Sequence, residues 1–394
     1  MHLRRFSLYL ALLISTLSSK ELERSILSSD RLELFDYREQ KVIQESKKLS
    51  IDWISPITYS YNYYDYKDLD NQDRFSAISI NQAIFKSGGI YNSIKYASSL
   101  QRSSIADIDI ARKNLIKEAL STLFEIYKTD SLIEKQLLLI KNGELDVFRK
   151  KEQVLSGLLD ASYLDNALLE LSAKRVALSD IKYSKEALIN RFESLSEADY
   201  KAIELPKLEF IDKMEFLKEN KNIQKQEFIA QKEYRYKNVV ISRYLPSVNA
   251  IYNYTKYHGD HRANLGSNFN NELQKYGLNL TIPLDFRAFS DTQSAKIEYL
   301  KSQTELNIIK DEENSFYKTK LASIKRAQEK LQIAKEELDT YSSLVSQMSE
   351  LSIAGYKTDL DLQTMQNSRS IKELDLDIYE YELQIELLEL YARI

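Results

Sequence analysis

The sequence predicts a mainly helical protein with a small β part that needs other copies of the chain to complete it. Three observations carry that expectation. Only eight glycines and four prolines interrupt 394 residues, of which 29% are charged; a chain so poor in breakers and rich in Leu, Ile, Lys and Glu favours long helices. Four short stretches alternate apolar and polar residues with the period of two that a strand with two unlike faces requires. The order of parts also occurs twice, which makes the chain a duplication over about 20–197 and 206–394.

The strands carry the most information. Ile57, Tyr59, Tyr61 and Tyr63 share one side of the first, against Thr58, Ser60 and Asn62 on the other. Val248, Ala250, Tyr252 and Tyr254 oppose Asn249, Asn253 and Thr255, and Tyr276, Leu278, Leu280, Ile282 and Leu284 oppose Gly277, Asn279, Thr281 and Pro283. The expected strands, near 54–66, 75–85, 246–257 and 275–285, are each about 10 residues long, as a tilted strand crossing a bilayer must be. Soluble sandwiches alternate as well. Four strands with no further β material leave two open edges, however, and unpaired N–H and C=O groups in hydrocarbon are costly. If these strands span a membrane, several chains must close one barrel.

In chain order, Arg4 and Arg5 precede an apolar run from Phe6 to Leu17 and the small Ser18 and Ser19, the pattern of a secretory signal peptide over 1–19. That run is too short to span as a helix. No cysteine occurs anywhere, so disulfides, thiolate metal sites and thiol catalysis are excluded. A charged helical segment from Lys20 to about Leu49 leads to Trp53 and Pro56. Trp at the start of a membrane strand, with 27 Tyr in the chain, suits interfacial aromatic girdles; ordinary strand propensity of aromatics is the alternative.

From Gly88 and Gly89 a helical pattern runs to about Lys150. Ile105, Ile108, Leu115, Ala119, Leu123, Ile126, Ile133, Leu137 and Ile140 keep spacings of three, four and seven, a heptad seam. Roughly 60 residues of helix make a rod of roughly 90 Å. A turn near Gly157 returns the chain along Leu164, Leu168, Leu171, Leu178, Ile181, Leu188, Phe192 and Leu195. After a polar link over 198–206, one helix is expected over 214–243, then the second strand pair, then a rod over 290–348 with the seam Tyr317, Leu321, Ile324, Leu331, Ala334, Leu338, Tyr341, Val345 and Met348. Gly355 stands where Gly157 stands in the first half, and a last helix starts near Leu360.

Several function classes drop out. A net charge of −4 gives no electrostatic case for nucleic acid. No nucleophile elbow, Walker loop or dinucleotide fingerprint is present, and carboxylates alternate with Lys and Arg along helix faces, as on solvated rods. No catalytic residue, cofactor or metal site is expected. His258, Asp260 and His261 read as a solvated loop between the third and fourth strands rather than a metal site.

Taken together, ISINQAIFKSGGIYNSIKYA, YLPSVNAIYNY, GLNLTIPLDF and the two turns SGLLDASYLDNALLEL and AGYKTDLDLQTMQNS resemble the TolC-type outer-membrane channel family over nearly all of the mature chain. The second strand-to-helix junction reads FRAFSD where the first has Gly-Gly. The resemblance implies a homotrimer in outer-membrane lipid, each protomer giving four strands to a twelve-stranded barrel and its helical hairpins to a long periplasmic α-barrel. It implies a passive conduit from periplasm to exterior, with a periplasmic adaptor and an inner-membrane pump as partners, in a tripartite efflux pump or a type I secretion system. Drug, metal and protein export are not separable. The matching positions put Asp361 at the pore aperture with Thr364 at the second aperture position and Asp359 and Ser162 nearby, and adaptor docking at Gly157, Leu158, Gly355 and Tyr356. Helix capping is the plainer reading of the same carboxylates and glycines. From another class, a coiled-coil scaffold of the cell envelope without a pore is the alternative function.

Overall fold

The computed structural model describes residues 26–66, 71–258 and 271–394. The signal-peptide segment 1–19, Asp260 and His261 lie outside them. In chain order come α1 (Ser29–Ile51), β1 (Thr58–Tyr66), β2 (Asn71–Phe85), α2 (Gly89–Leu155), α3 (Ala161–Glu193), a 3-10 turn (Tyr200–Ala202), α4 (Lys213–Glu219), α5 (Lys221–Arg243), β3 (Ser247–Tyr257), β4 (Glu272–Thr281), α6 (Ala288–Ile353) and α7 (Asp359–Tyr391). The protein is mainly helical with one small sheet, and α2 and α6 run 67 and 66 residues. Among the described residues no helix is long and apolar enough to cross a membrane.

Some bounds differ from the sequence reading, each for a local reason. β1 starts at Thr58, past Pro56, which has no N–H to give a ladder. The Gln82 side chain serves the chain before it instead, accepting from the Ser55 N–H at 2.9 Å and donating to the Trp53 carbonyl at 3.1 Å. β4 stops at Thr281, so Ile282 and Leu284 fall beside Pro283 in the connection to α6. The helix expected over 214–243 is two helices. Asn220 between them is extended at φ −60°, ψ 118°; its buried side chain donates to Glu313 at 2.9 Å, and the Lys221 N–H donates to the Arg393 carbonyl at 2.7 Å.

Two compact units emerge, one of 26–36, 109–221 and 312–394, the other of 37–108 and 222–311. In the first, α2 bonds to α3 on one side, through Arg191–Glu118 at 2.8 Å and Lys185–Asp130 at 2.5 Å. On its other side it bonds to α7, through Lys117–Glu389 at 3.3 Å and Lys135–Asp375 at 2.5 Å. α7 in turn bonds to α6, through Lys320–Glu386 and Lys372–Glu337, both at 2.9 Å. Buried apolar side chains gather where the link between α3 and α5 lies against these helices: Leu123, Phe124, Ile126, Phe192 and Leu388 in one cluster, Phe216, Tyr317, Ile324 and Leu390 in the next. Away from the link the seam thins. Leu137 and Leu168 are about half exposed, because a helix of 3.6 residues per turn drifts off a strict seven-residue repeat.

The second unit carries the sheet, antiparallel in the order β1-β2-β3-β4. Cross-strand partners share a face, so the register sorts the side chains. Tyr59 faces Ile78, Ile78 faces Tyr254, Ile80 faces Tyr252, Tyr252 faces Tyr276, and Ala250 and Val248 face Leu278 and Leu280, which makes one face apolar and aromatic. The other bears Ser60, Ser79, Asn81, Asn253, Asn249 and Asn279. β1 and β4 are the edges, and all of β4 is exposed.

The corners between strand and helix differ. At the first, Gly88 adopts φ +82° and the Ser87 hydroxyl donates to the Pro246 carbonyl at 2.6 Å. At the second, Asp285 accepts from the Arg287 N–H at 2.9 Å and its guanidinium at 2.7 Å, and these bonds hold its carboxyl down to about 2. A Cβ on Gly89 would run into Ser242 Oγ of α5. Gly89→Ala is therefore expected to cost about 1–3 kcal/mol by overpacking, lowering the thermal midpoint, whereas Gly277→Ala, whose Cβ meets nothing within 4 Å, leaves it unchanged or higher.

Candidate functional site

The two hairpin turns α2–α3 and α6–α7 end their helices by one device. Gly157 and Gly355 sit at φ +71° and +79°, the left-handed conformation in which a side chain is strained. The Gly157 N–H donates to the Val154 carbonyl and the Leu158 N–H to the Gln153 carbonyl, at 3.0 and 2.8 Å; Gly355 donates to Ser352 and Tyr356 to Leu351, at 3.0 and 2.9 Å. These are Schellman turns, in which the residue after the glycine usually packs an apolar side chain back on the helix. Here it does not. Leu158 is 75% and Tyr356 79% exposed, so each turn presents one apolar knob that the chain leaves unpacked.

The following helices start on carboxylates. Asp160 caps α3 by accepting the Ser162 N–H at 2.8 Å, and that bond lowers its pKa. Thr358 and Asp361 form a capping box on α7: the Asp361 N–H donates to Thr358 Oγ1 at 3.2 Å and the Thr358 N–H donates back to the Asp361 carboxylate at 3.3 Å, where the Thr358 hydroxyl also donates at 2.8 Å. Arg149 of α2 reaches the other carboxylate oxygen of Asp361 at 2.8 Å. The Thr358 hydroxyl first, with Arg149 adding, holds the Asp361 pKa below its ordinary value. Asp359 accepts from Ser352 Oγ at 3.1 Å. Thr364 turns its hydroxyl back to the Leu360 carbonyl at 2.7 Å, a bond inside its own helix.

Asp359, Asp361 and Thr364 thus occupy the opening turns of α7, while Gly157, Leu158 and Ser162 occupy the other turn. Arg149 is the residue that ties the two hairpins together here, and sequence reasoning passed over it, because a lone arginine on a charged helix face carries no mark of its partner. The tie continues up α2 and α7 as polar contacts. Asn367 donates to Asn142 at 2.8 Å and Lys135 to the buried Asp375 at 2.5 Å. Farther along α7, burial first, with Glu373 and Glu134 adding, raises the Asp377 pKa. At the sheet, His258 Nε2 lies 2.7 Å from Ser76 Oγ. Among the described residues no three metal-ligating side chains gather.

The sign of the Asp361 shift fixes a pH dependence. Its carboxylate is favoured in the folded chain, so its contribution is present above the unfolded value near about 4 and is lost as pH falls through the lower folded value. Hydrogen-exchange protection of the Asp361 and Leu362 amides is expected to drop over that acid range, and Asp361→Asn to abolish the dependence.

Residues 214–394 match the family described as outer membrane efflux protein. No curated protein matches the sequence. Among solved structures, the fold is similar to the outer membrane protein VceC of Vibrio cholerae, at 13% identity over 95% of this chain and 95% of that one, TM-score 0.73. It is similar to the CmeC outer membrane channel of Campylobacter jejuni, at 14% over 95% and 84%, TM-score 0.70, and to the open state of the MtrE outer membrane channel of Neisseria gonorrhoeae, at 14% over 94% and 87%, TM-score 0.60. The second half of the sequence thus matches the outer membrane efflux protein family, and the fold is similar to that of outer membrane channels over nearly the whole described chain.

Proposed function

We propose that three copies of this chain close one barrel in the outer membrane and one helical tunnel in the periplasm, a passive conduit to the exterior. The observation that carries this reading is the sheet: four strands with two unpaired edges, one apolar aromatic face, and an edge strand exposed along its length. Backbone groups at such edges cannot stand in hydrocarbon, and a closed ring of three sheets satisfies them. The apolar face then meets lipid and the asparagine- and serine-bearing face lines water. The family description agrees with this location.

The two halves of the chain, alike in their order of elements, act as structural repeats of one protomer. The conduit does no chemistry. Export draws its energy from an inner-membrane pump linked by a periplasmic adaptor, in an efflux pump or a type I secretion system. Adaptor docking belongs at the turns, where Leu158 and Tyr356 stand exposed beside Gly157 and Gly355. Opening separates the helices there and slackens the Arg149–Asp361 pair.

Native mass measurement in mild detergent is expected to give a trimer. Tyr276→Arg, midway along β4 on the apolar face and costing about 2–4 kcal/mol near the bilayer midplane, should abolish it; a folded monomeric barrel, or a trimer indifferent to the arginine, would overturn the architecture. Symmetry-related carboxylates at a narrow entrance attract multivalent cations. Arg149 already offsets Asp361, so Asp359 carries the larger uncompensated charge. In planar bilayers Asp359→Asn should lower cation selectivity and weaken divalent block more than Asp361→Asn does, with the trimer intact. Unchanged selectivity in the double variant would leave both as helix caps only.

A further inference from the structure

In the second unit, α2, α5 and α6 enclose an open cavity of about 570 Å³. Its walls bring Lys95 and Arg102 from α2 and Arg235 from α5 together with Tyr91, Tyr234 and Tyr299. Many Lys and Arg along the helices pair with carboxylates, as Lys225 does with Asp107 at 2.5 Å and Lys301 with Glu298 at 3.1 Å. Among the described residues no carboxylate pairs with Lys95, Arg102 or Arg235. The one acid lining the cavity, Glu227, is engaged by Lys310 at 3.5 Å.

Tyrosine rings lie against Lys95 and Arg235 instead. Arg235 lies 5.7 Å from the Tyr91 ring centroid and 5.4 Å from that of Tyr234, and Lys95 5.8 Å from Tyr91. Lys237 follows, 4.6 Å over Tyr234 and 5.1 Å over Tyr299. Asn92 accepts from Arg235 at 3.4 Å. Cation–π contacts orient a guanidinium or ammonium without neutralising it, so the charge stays available to a ligand. Phenol hydroxyls and the Ser98 and Ser99 hydroxyls can add donors to an anion's oxygens.

We propose that this cavity binds a phosphate-bearing anion, with Lys95, Arg102 and Arg235 as its charge partners and the tyrosines as its walls. A guanidinium pairs with phosphate through two parallel bonds, and the size suits a small organic phosphate or the head of a phospholipid. The first turns of α2, which follows β2 directly, line the cavity, so a headgroup of the inner-facing leaflet is one source; that source rests on the membrane reading. A soluble phosphate ester is the other, and it does not.

The test uses the delipidated full-length protein in neutral detergent, titrated with phosphatidylglycerol and, separately, with glycerol 3-phosphate, and read by native mass measurement and calorimetry. Binding of at least one is expected, weakened about tenfold or more in Lys95→Gln/Arg102→Gln/Arg235→Gln and unaffected by Lys335→Gln elsewhere. Phosphatidylglycerol alone would identify the lipid source; both probes binding would identify the phosphate ester itself. The single variants Lys95→Gln and Arg102→Gln, at exposed positions, keep the test readable should the triple variant fold poorly. No binding of either probe, or binding that the variants leave unchanged, overturns the proposal, and a protein that fails to form a trimer yet binds glycerol 3-phosphate would refute the channel reading alone.

Discussion

Along the outer sides of β1 and β4, N–H and C=O groups have no partner within the four-stranded sheet, and everything else about this chain accommodates that. A water-soluble sheet can leave such edges wet, at the risk of aggregation. One with Tyr59, Ile78, Ile80, Tyr252, Leu278 and Leu280 on a single face loses that option where the face meets lipid, as proposed above. In the proposed trimer the edges of neighbouring copies pair with one another, which removes them.

The helices meet the same problem in another form. α3 has only Ala167, Leu171 and Phe192 buried along 33 residues, which is little for a helix so long. The chain holds its helices side by side mainly through spaced ion pairs between neighbours, each partly solvated and individually weak, and concentrates apolar burial at the level of the link. Side chains such as Tyr163, Val176 and Tyr183 stay exposed. Helices built so are anchored most firmly at one level and more lightly near the turns.

How much of this was written in the sequence follows from range. Alternation in the strands, the long seams and the glycine turns depend on neighbours within a few residues, and the sequence shows them. The start of α7 was legible through Asp359 and Asp361 for the same reason, though not Thr358 as the cap itself. Arg149 was not, because its partner lies on another hairpin. Nor was the cavity beside Arg235, whose walls come from three helices distant in sequence. The strand bounds shifted where a side chain, Gln82, took over the role of a backbone partner.

Asn220 illustrates the same limit with a consequence for how the chain folds. Residues 213–243 have the local preferences of one continuous helix, and Glu313, 93 residues away, and Arg393 bind the two sides of the break. Contacts so distant in sequence form late, after the loops between them have closed. Until they do, nothing local opposes a straight helix through the joint. The link that carries the apolar core therefore takes its shape last, and segments that appear first from synthesis wait on ones that appear at the other end.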